Sequence, residues 1–330
     1  MDISVAEIRS TSEAALLAHG AGAFQAAEVA RAVARAEETG NIICGLYYLE
    51  SYCTQLVSGR VDGHVDPVVS QDKPGVVKVD ARFGFAQPAF ARGLDAAVSA
   101  ARDCGVAMLS VAHAHTCTSL GFFTEQIADH GLIGLGFTNA SAIVAAPGGK
   151  APVLGTNPIA MTIPGPDKPL MHADFSTSAV ALGKITMAKA AGEPIPLGWA
   201  VDAEGQPTTD PDAALNGALL SAAGPKGWAF GLLVEIMAAG LTSSVNSLDV
   251  KGLKLPDGAP HGLGQSYILI DPSAHSGSDV MAERLARVSD AIAEDGGTGR
   301  IPGAERPHLD PVNVPDALWA TVSALARNAP

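Results

Sequence analysis

The sequence is short of charge, of aromatic residues and of cysteine, and each shortage excludes a class of protein. Of its 330 residues, 17% are charged and 5% aromatic, whereas 47% are hydrophobic. Disordered chains are rich in charge and poor in aliphatic residues, so disorder is excluded and a full hydrophobic core is predicted. The four cysteines (Cys44, Cys53, Cys104 and Cys117) show no CxxC spacing and are too few for a disulfide scaffold.

Basic charge, a leader segment and long apolar runs are lacking as well. The chain has 21 Lys and Arg against 34 Asp and Glu, a net charge of −13. Nucleic acid and anionic membranes both attract basic surfaces, so neither is an expected partner, although a small anionic ligand is compatible with a few local cations. Residues 1–20 hold no basic segment followed by an uninterrupted apolar run, and no run reaches the roughly 18 apolar residues of a membrane helix. We therefore expect a cytoplasmic enzyme with reduced thiols.

Common ligand motifs are also missing. No GxGxxG lies between a strand and a helix, and the sequence contains no P-loop, HExxH or GxSxG. His113 and His115 are separated by one residue, as two metal ligands on the same face of a strand are. No third ligand follows at a spacing typical of a metal site. We therefore expect no metal site, and the usual dinucleotide fingerprint is absent.

Hydrophobic periodicity predicts an α/β protein. Helical spacing predicts two helices joined by a glycine turn over 12–38 and a third helix over 47–57. The segments 63–75 and 192–217 are polar and Pro-rich, so we expect a linker at the first and a long surface loop at the second. Strands are predicted at 76–80, 106–111, 132–138 and 266–271, and further helices at 88–103, 120–129, 228–241 and 280–293, before a short C-terminal helix. Polar residues follow the strands at 106–111 and 132–138, and polar strand ends are where α/β sheets bind ligands.

Two residues have both a structural and a functional interpretation. His115 is either satisfied by a neighbouring backbone carbonyl or contacts a cofactor or substrate, because the small polar residues 116–119 and their N–H groups precede a helix and suit a phosphate or ribose. Asp174 is either the N-cap of a helix that starts at Ala179 or a carboxylate that orients a proton donor.

Cations in glycine-rich segments are open to the same two interpretations. Lys226 is a surface lysine, or it holds a phosphate or carboxylate at the start of a helix. Arg300 and Arg306 are, with Glu305, solvated loop charges, or the two arginines bind an adenosine 2′-phosphate.

Eight segments, taken in chain order, resemble one family closely. They are HTCTSLGFF (115–123), FTN (137–139), APGG (146–149), GTNP (155–158), ADFSTSAVALGKI (173–185), PLGWAVDAEGQPTTDP (196–211), GPKG (224–227) and IDP (270–272). This order is similar to the malate/L-lactate dehydrogenase family, which is distinct from the Rossmann-type enzymes. That family also includes ureidoglycolate dehydrogenase, diketogulonate reductase and the Δ1-piperideine-2-carboxylate/Δ1-pyrroline-2-carboxylate reductases, and the HT-x-T-S-L segment is closer to these imine reductases.

The resemblance implies a homodimeric NAD(P)-dependent oxidoreductase. Its fold would be α/β, with a non-Rossmann NAD(P)-binding sheet domain and an N-terminal helical domain completed by the C-terminal segment. The corresponding parts of this chain are 1–75 for the helical region, 76–115 with 290–330 for a substrate and dimer domain, and 116–289 for the NAD(P)-binding domain.

The resemblance also implies a cofactor site and a catalytic carboxylate. Hydride would pass between nicotinamide C4 and C2 of a small anionic 2-oxo or 2-imino acid, and Asp174 matches the carboxylate that partners the family's catalytic histidine. The two loop arginines favour NADPH, with NADH as the alternative. The matching cofactor-binding residues are His115, Thr116, Cys117, Thr118, Ser119, Leu120, Thr156, Asn157, Asp174, Phe175, Ser176, Thr177, Lys226, Gly227, Arg300, Ile301, Pro302, Gly303, Ala304, Glu305 and Arg306.

One departure from the family pattern bears on the substrate. Family members carry Ser-His-Gly after the N-terminal helices, with the histidine as proton donor and an arginine a turn later that helps to hold substrate. Aligned on Gly45, this chain has Ile43 for the serine, Cys44 for the histidine and Tyr48 for the arginine. A thiol with a reference pKa of about 8.5 matches proton donation less well than imidazole.

Three functions follow from this departure. A protonated cyclic imine accepts hydride without a strong protein acid, whereas a 2-oxo acid needs a proton on its developing alkoxide, so the expected function is reduction of Δ1-piperideine- or Δ1-pyrroline-2-carboxylate. Cys44, Tyr47, Tyr48 and His115 are then the candidate proton donors, beside Asp174. The alternatives are a 2-hydroxy-acid dehydrogenase for malate, lactate or ureidoglycolate, and a non-catalytic or repurposed nucleotide-binding paralogue.

Overall fold

The computed structural model describes residues 1–327 as helices around one large and two small sheets. The α-helices are α1 (Val5–Ala18), α2 (Ala23–Glu38), α3 (Leu46–Val57), α4 (Ala86–Cys104), α5 (Gly121–Asp129), α6 (Leu182–Ala191), α7 (Pro211–Asn216), α8 (Pro225–Glu235), α9 (Ser278–Glu294) and α10 (Asp316–Arg327). The strands are β1 (Asp2–Ile3), β2 (Val68–Lys73), β3 (Val76–Asp80), β4 (Val106–Ala114), β5 (Ile133–Thr138), β6 (Val144–Ala145), β7 (Pro152–Leu154), β8 (Ile159–Ile163), β9 (Met171–Phe175), β10 (Ala200–Val201), β11 (Pro207–Thr208), β12 (Ala218–Leu219), β13 (Leu263–Ile270) and β14 (Val312–Asn313).

The large sheet has seven strands in the order β2-β3-β4-β13-β5-β8-β9. Only β3 and β4 pair in parallel, and β13 lies antiparallel between β4 and β5. Because β8 is antiparallel to both β5 and β9, the strands β4, β5 and β9 all run in one direction. Their carboxyl ends therefore meet at one edge of the sheet, which brings the polar residues after each strand together.

Helices α4 and α5 pack on the sheet and form its core. The rings of Phe90, Phe123 and Tyr267 are fully buried there, with centroids 4.9 Å apart for Phe90 and Tyr267 and 5.0 Å apart for Phe90 and Phe123. Helix α4 ends at Gly105, whose φ of 79° lets the chain turn directly into β4. Burial of this apolar surface fixes α5 beside the carboxyl edge of the sheet.

A second core joins the two ends of the described chain. Helices α1, α2 and α3 bury Leu16 and Leu49 against Val322 of α10, and β1 pairs with β14. The third cluster lies in the five-stranded sheet β11-β10-β12-β6-β7 with α6 and α7. The α3 side of the N-terminal helices faces the carboxyl edge of the large sheet through a hydrogen bond from the Tyr52 hydroxyl to Thr118 Oγ1, 3.3 Å.

Most predicted elements are confirmed within a few residues, and the fold is mixed α/β as expected. The linker prediction for 63–75 is wrong, because β2 lies there; its six residues are all exposed, so no apolar alternation marks it as a strand. The loop prediction for 192–217 is wrong in part, since it contains β10, β11 and α7. A boundary at residue 115 does not separate two sheets, because β3 and β4 belong to the same sheet as β5, β8 and β9.

Within residues 1–327, no helix combines the length and apolarity needed to cross a membrane.

Candidate active site

Asp174 lies at the end of β9 and caps the start of α5. Its Oδ2 accepts hydrogen bonds from the Gly121 N–H at 2.7 Å and from the Ser119 hydroxyl at 3.3 Å. A Cβ at position 121 would lie 2.8 Å from the His172 ring, so glycine allows this close approach. The helix expected to start at Ala179 starts instead at Leu182, with Ala181 as its N-cap. The interpretation of Asp174 as the N-cap of α6 is thus wrong, because its carboxylate accepts a hydrogen bond from the first turn of α5 instead.

The electrostatics of Asp174 follow from the protein that surrounds its exposed side chain. Solvent reaches the side chain, but the surrounding protein removes part of its hydration and raises the pKa of the carboxyl above its ordinary value. The Gly121 N–H, the nearby His172 and the Ser119 hydroxyl offset part of this rise. The carboxyl therefore keeps its proton to a higher pH than an aspartate in water.

Cys44 lies in a 3-10 turn, Ile42–Cys44, that faces Asp174. The turn is tied to the sheet edge by Asn41, whose Nδ2 donates to Ser119 Oγ at 3.4 Å. Burial, with the negative charge of Asp174, raises the pKa of the Cys44 thiol to about 12, and Asn41 and Lys254 oppose this rise. At neutral pH Cys44 is therefore a protonated thiol and a weak acid.

The turn before α3 is fixed by a buried carboxylate. Glu37, on α2, accepts the Leu46 N–H at 2.7 Å and thereby caps the start of α3. A Cβ at position 45 would lie 2.2 Å from the same Glu37 oxygen, so Gly45 is the residue that fits between Cys44 and α3. This packing fixes the backbone directly after Cys44.

Tyr48 follows Cys44 on the first turn of α3. Its hydroxyl donates to the Leu253 carbonyl at 3.0 Å, and burial raises the pKa of the phenol. The Lys254 ammonium lies 5.3 Å from the centroid of the Tyr48 ring. Tyr48 thus anchors the loop that carries Lys254, and its own proton is already engaged.

His115 is placed in the interior rather than on the cleft wall. The residue is 1% exposed, its Nε2 lies 2.5 Å from Gln55 Oε1, and its ring stacks on His261 with centroids 4.0 Å apart. Burial and the neighbouring His261 hold the pKa of His115 well below its usual range, so the imidazole is neutral. The expectation of a contact with cofactor or of proton donation is not supported by this placement, and neither is a backbone carbonyl partner.

The segment after His115 does not offer the free N–H groups expected of it. Thr116, Cys117, Ser119 and Leu120 are all buried, and the Thr118 hydroxyl donates to the Cys117 carbonyl at 2.6 Å. The start of α5 is already occupied by the Asp174 carboxylate. The Asp174 carboxylate lies where a phosphate was expected and this segment positions it, while the cofactor contacts of the segment stay a prediction.

Three further predicted residues connect β8, β9 and α8. Asn157 is fully buried and donates to the Gly231 carbonyl at 3.0 Å and to Glu235 at 2.8 Å. Thr177 donates to the carbonyls of Thr156 and Asn157, both at 3.1 Å. These contacts leave Asn157 and Thr177 as internal links, whereas the neighbouring Phe175 is 47% exposed.

Helix α8 begins beside this segment with an open N-terminus. Its N-cap is Gly224, with φ 61° and no side-chain cap, and the N–H groups of Lys226 and Gly227 lie in the first turn, where helices leave donors unpaired. Lys226 is exposed, and a Cβ at position 227 would lie 1.9 Å from the Ala222 carbonyl oxygen. This helix start has the donors and the charge that bind an anion.

The loop 300–306 lies along β9. The Pro302 carbonyl accepts the His172 N–H at 3.0 Å, and Gly303, with φ 83°, approaches His172 more closely than any side chain could. Ile301 and Ala304 line an apolar groove between this loop and α9.

The two arginines of this loop have different surroundings. Arg306 pairs with Glu125 of α5, donates to Thr39 Oγ1 at 3.2 Å, and has its pKa lowered to about 10 by burial and by Arg35. Arg300 is exposed, 3.4 Å from Glu305. The expectation that Arg306 binds a phosphate is therefore not supported, because its guanidinium holds the loop to the protein, and Arg300 is the loop's exposed arginine.

Sequence reasoning brought Cys44, Tyr48 and Asp174 to one site but missed two residues. Asn41 and Lys254 lie beside Cys44, and neither belongs to a recognisable motif. Lys254 is in a polar loop, 251–259, that is indistinguishable by composition from any other surface loop.

The site thus combines the Asp174 carboxylate with the protonated thiol of Cys44 at one edge of the sheet, and full-length relatives define the class of the protein. The chain is 38% identical to (2R)-3-sulfolactate dehydrogenase (NADP(+)) of Chromohalobacter salexigens, over 98% of both chains. It is 37% identical to Δ1-pyrroline-2-carboxylate reductase of Ancylobacter novellus, over 98% of this chain and 97% of the relative. The class is an NAD(P)-dependent oxidoreductase.

The family follows from the sequence model and the fold. Residues 3–308 match the family described as malate/L-lactate dehydrogenase, and the chain belongs to this family. The crystal structure of Δ1-piperideine-2-carboxylate reductase from Pseudomonas syringae pvar. tomato superimposes with a TM-score of 0.91 at 32% identity, covering 98% of this chain and 99% of that one. The resemblance stated from the eight segments is confirmed.

Proposed function

We propose that this oxidoreductase reduces a cyclic 2-imino acid, Δ1-piperideine- or Δ1-pyrroline-2-carboxylate, by hydride transfer to C2. The observation that carries the proposal is the pair formed by Asp174 and Cys44. Where a strong acid would be needed for a 2-oxo acid, the cleft has a thiol whose pKa is raised to about 12. Such a thiol delivers a proton slowly at neutral pH.

The chemistry of an imine fits this pair. A cyclic imine that enters with its nitrogen protonated carries a positive charge, and hydride addition at C2 gives a neutral amine without further protonation. The ionised Asp174 carboxylate stabilises the positive nitrogen, and the hydrogen bonds from Gly121 and Ser119 hold the carboxylate in place. The neutral thiol of Cys44 adds no competing charge beside the reacting carbon.

The relatives support the same substrate class. Δ1-pyrroline-2-carboxylate reductase of Ancylobacter novellus is a full-length relative, and Δ1-piperideine-2-carboxylate reductase of Pseudomonas syringae has the same fold over nearly the whole chain. The small anionic substrate of this chain is assigned by analogy with these two enzymes.

A nicotinamide cofactor, NADPH in preference to NADH, fits the open start of α8. The unpaired N–H groups of Lys226 and Gly227 and the Lys226 ammonium would hold a phosphate, and the exposed Arg300 would meet a 2′-phosphate. The sulfolactate dehydrogenase relative is named for NADP(+), which supports the preference. When bound, the cofactor supplies the hydride.

Two further assignments belong to the proposal. Helix α8 and the turn after it expose Phe230, Leu233, Ile236 and Leu241, an apolar face that supports a homodimer. The four free cysteines support a reducing, cytoplasmic location.

A 2-hydroxy-acid dehydrogenase is the second candidate, because the sulfolactate dehydrogenase relative is as similar as the imine reductases. NADPH oxidation is measured with Δ1-piperideine-2-carboxylate, Δ1-pyrroline-2-carboxylate, pyruvate, oxaloacetate and 3-sulfopyruvate. The proposal expects turnover of the two imino acids. Turnover of the oxo acids alone would overturn it in favour of the dehydrogenase, and NADPH binding by calorimetry with no turnover would identify a non-catalytic paralogue.

A further inference from the structure

One lysine beside Cys44 has an ammonium that no carboxylate neutralises. Lys254 Nζ lies 5.3 Å from the Tyr48 ring centroid, one helical turn beyond Cys44. Among residues 1–327 the lysines in ion pairs are Lys78 and Lys189, so the Lys254 ammonium has no carboxylate partner within the described chain. A net charge of −13 repels an anionic substrate, which makes an unpaired cation in the cleft significant.

The position of Lys254 is set by hydrogen bonds on both sides of it along the loop 251–259. The Leu253 carbonyl accepts from the Tyr48 hydroxyl at 3.0 Å and from Gln55 Nε2 at 2.8 Å. The Leu255 carbonyl accepts from the same Gln55 nitrogen at 2.7 Å. Both donors are on α3, the helix that follows Cys44. Lys254 is therefore held in a fixed relation to Cys44 although its loop is exposed.

A buried arginine completes the anchoring. Arg60 is 1% exposed and donates to the carbonyls of Gly252 at 3.0 Å, Leu255 at 2.7 Å and Ala259 at 3.1 Å. Its donors are thus directed to backbone carbonyls, so Arg60 is a structural cation, whereas the Lys254 side chain is exposed beside the Tyr48 ring.

Asp174 and Lys254 place opposite charges at Cys44. Both are close enough to act on the Cys44 thiol, Asp174 raising its pKa and Lys254 lowering it. A cyclic 2-imino acid with a protonated nitrogen has the same polarity, because C2 carries the carboxylate and is double-bonded to the positive nitrogen. A 2-oxo acid has the negative group alone.

We propose that Lys254 binds the substrate carboxylate while Asp174 faces the protonated ring nitrogen, so that the two side chains orient C2 at Cys44. The inference rests on the proposed function and adds the residue that selects a 2-imino acid.

The test compares K254M with the wild-type enzyme on two substrates. With Δ1-piperideine-2-carboxylate, KM is expected to rise about 10- to 100-fold with kcat nearly unchanged, because one charge-assisted hydrogen bond is lost. With Δ1-piperideine, which lacks the carboxylate, kcat/KM is expected to be the same in both enzymes. K254R is expected to recover most of the loss.

The matched control is K251M, which removes an exposed lysine of the same loop and is expected to leave KM unchanged. Equal KM values for K254M and wild type would overturn the inference, and so would an equal loss with Δ1-piperideine, since that outcome indicates a displaced loop. The NADPH dissociation constant of each variant reports whether the fold is intact. A wild-type enzyme that reduces neither imino acid would instead refute the proposed function.

Discussion

Asp174 holds its carboxylate between the start of α5 and the Cys44 thiol, so its protonation state decides the charge of the cleft. Its pKa is raised above the reference value of about 4, and the neutral acid cannot stabilise a protonated imine. We therefore expect kcat/KM to fall as pH falls through this pKa. On the basic side, kcat/KM falls as the imine itself loses its proton, which gives a bell-shaped profile. Changing from the piperideine to the pyrroline substrate should shift only the basic side of this pH profile, because that side reflects the imine rather than Asp174.

The D174N variant tests the acid limb. Asparagine still accepts the Gly121 N–H, so the melting temperature should be unchanged, whereas kcat should fall about 100-fold with the loss of charge stabilisation. The acid limb should disappear in the same variant. An acid limb that persists in D174N would assign it to another group.

Cys44 offers the converse experiment, in which a proton donor is added. The double variant I43S/C44H replaces the weakly acidic thiol with an imidazole, whose reference pKa is about 6.5. We expect kcat/KM for pyruvate or oxaloacetate to rise about 100-fold, the usual contribution of a general acid. I43S alone is the control. No rise, with the NADPH dissociation constant unchanged, would mean that the pocket differs by more than the missing acid.

At the residue scale, the sequence predicted which side chains belong to the site more successfully than it predicted their contacts. Asp174 was predicted from its motif, but its contact with Gly121 depends on the pairing of β8 with β5 and β9. His115 was expected at the cleft because it follows a strand, yet its ring is buried against His261, a residue far along the chain. Such contacts are tertiary, and local pattern carries no signal of them.

The loop 251–259 is held to α3 by Tyr48 and Gln55, and to the chain just beyond α3 by Arg60. In R60M three hydrogen bonds to carbonyls are lost, and we expect the free energy of unfolding to fall by about 1–3 kcal/mol, measured by urea denaturation. The KM for the imino acid should rise, because Lys254 loses its fixed position, whereas kcat should change little.

R60K is the matched control for this element. Lysine keeps the charge but lacks the planar set of donors that reaches three carbonyls, so its stability and KM should lie between those of R60M and the wild type. A KM unaffected by R60M would show that the position of Lys254 does not depend on the anchor.

Elements were predictable where apolar periodicity is strong. Strand β5 is a short, largely buried apolar run and helix α4 repeats apolar residues at helical spacing, and both were predicted within two residues. Strand β2 is wholly exposed and owes its existence to pairing with β3, so its own sequence resembles a linker. The same holds for β10 and β11, two residues each, in a segment predicted as a loop.

For the whole molecule, the apolar face of α8 makes a prediction about assembly. Ile236 is 63% exposed and Phe230 55%, more than a monomer usually leaves to water in one place. If this face is the dimer interface, I236K should shift the protein from dimer to monomer in size-exclusion chromatography with light scattering.

V57K serves as the control, because Val57 is similarly exposed (54%) but lies at the end of α3. It should leave the dimer intact. A dimer that survives I236K would place the interface elsewhere, and a wild-type monomer would refute the assembly itself.

The central position of β13 has a consequence for folding during synthesis on the ribosome. β4 and β5 are neighbours of β13 in the finished sheet, yet both emerge long before residues 263–270 are synthesised. Until then the nascent chain holds two strands whose inner edges have no partner, and unpaired edges invite contact with other chains. β13 is therefore the last strand of the large sheet to be synthesised and the one that pairs with both β4 and β5. A chain released before residue 263 would expose the unpaired edges of these two strands and would be prone to aggregate.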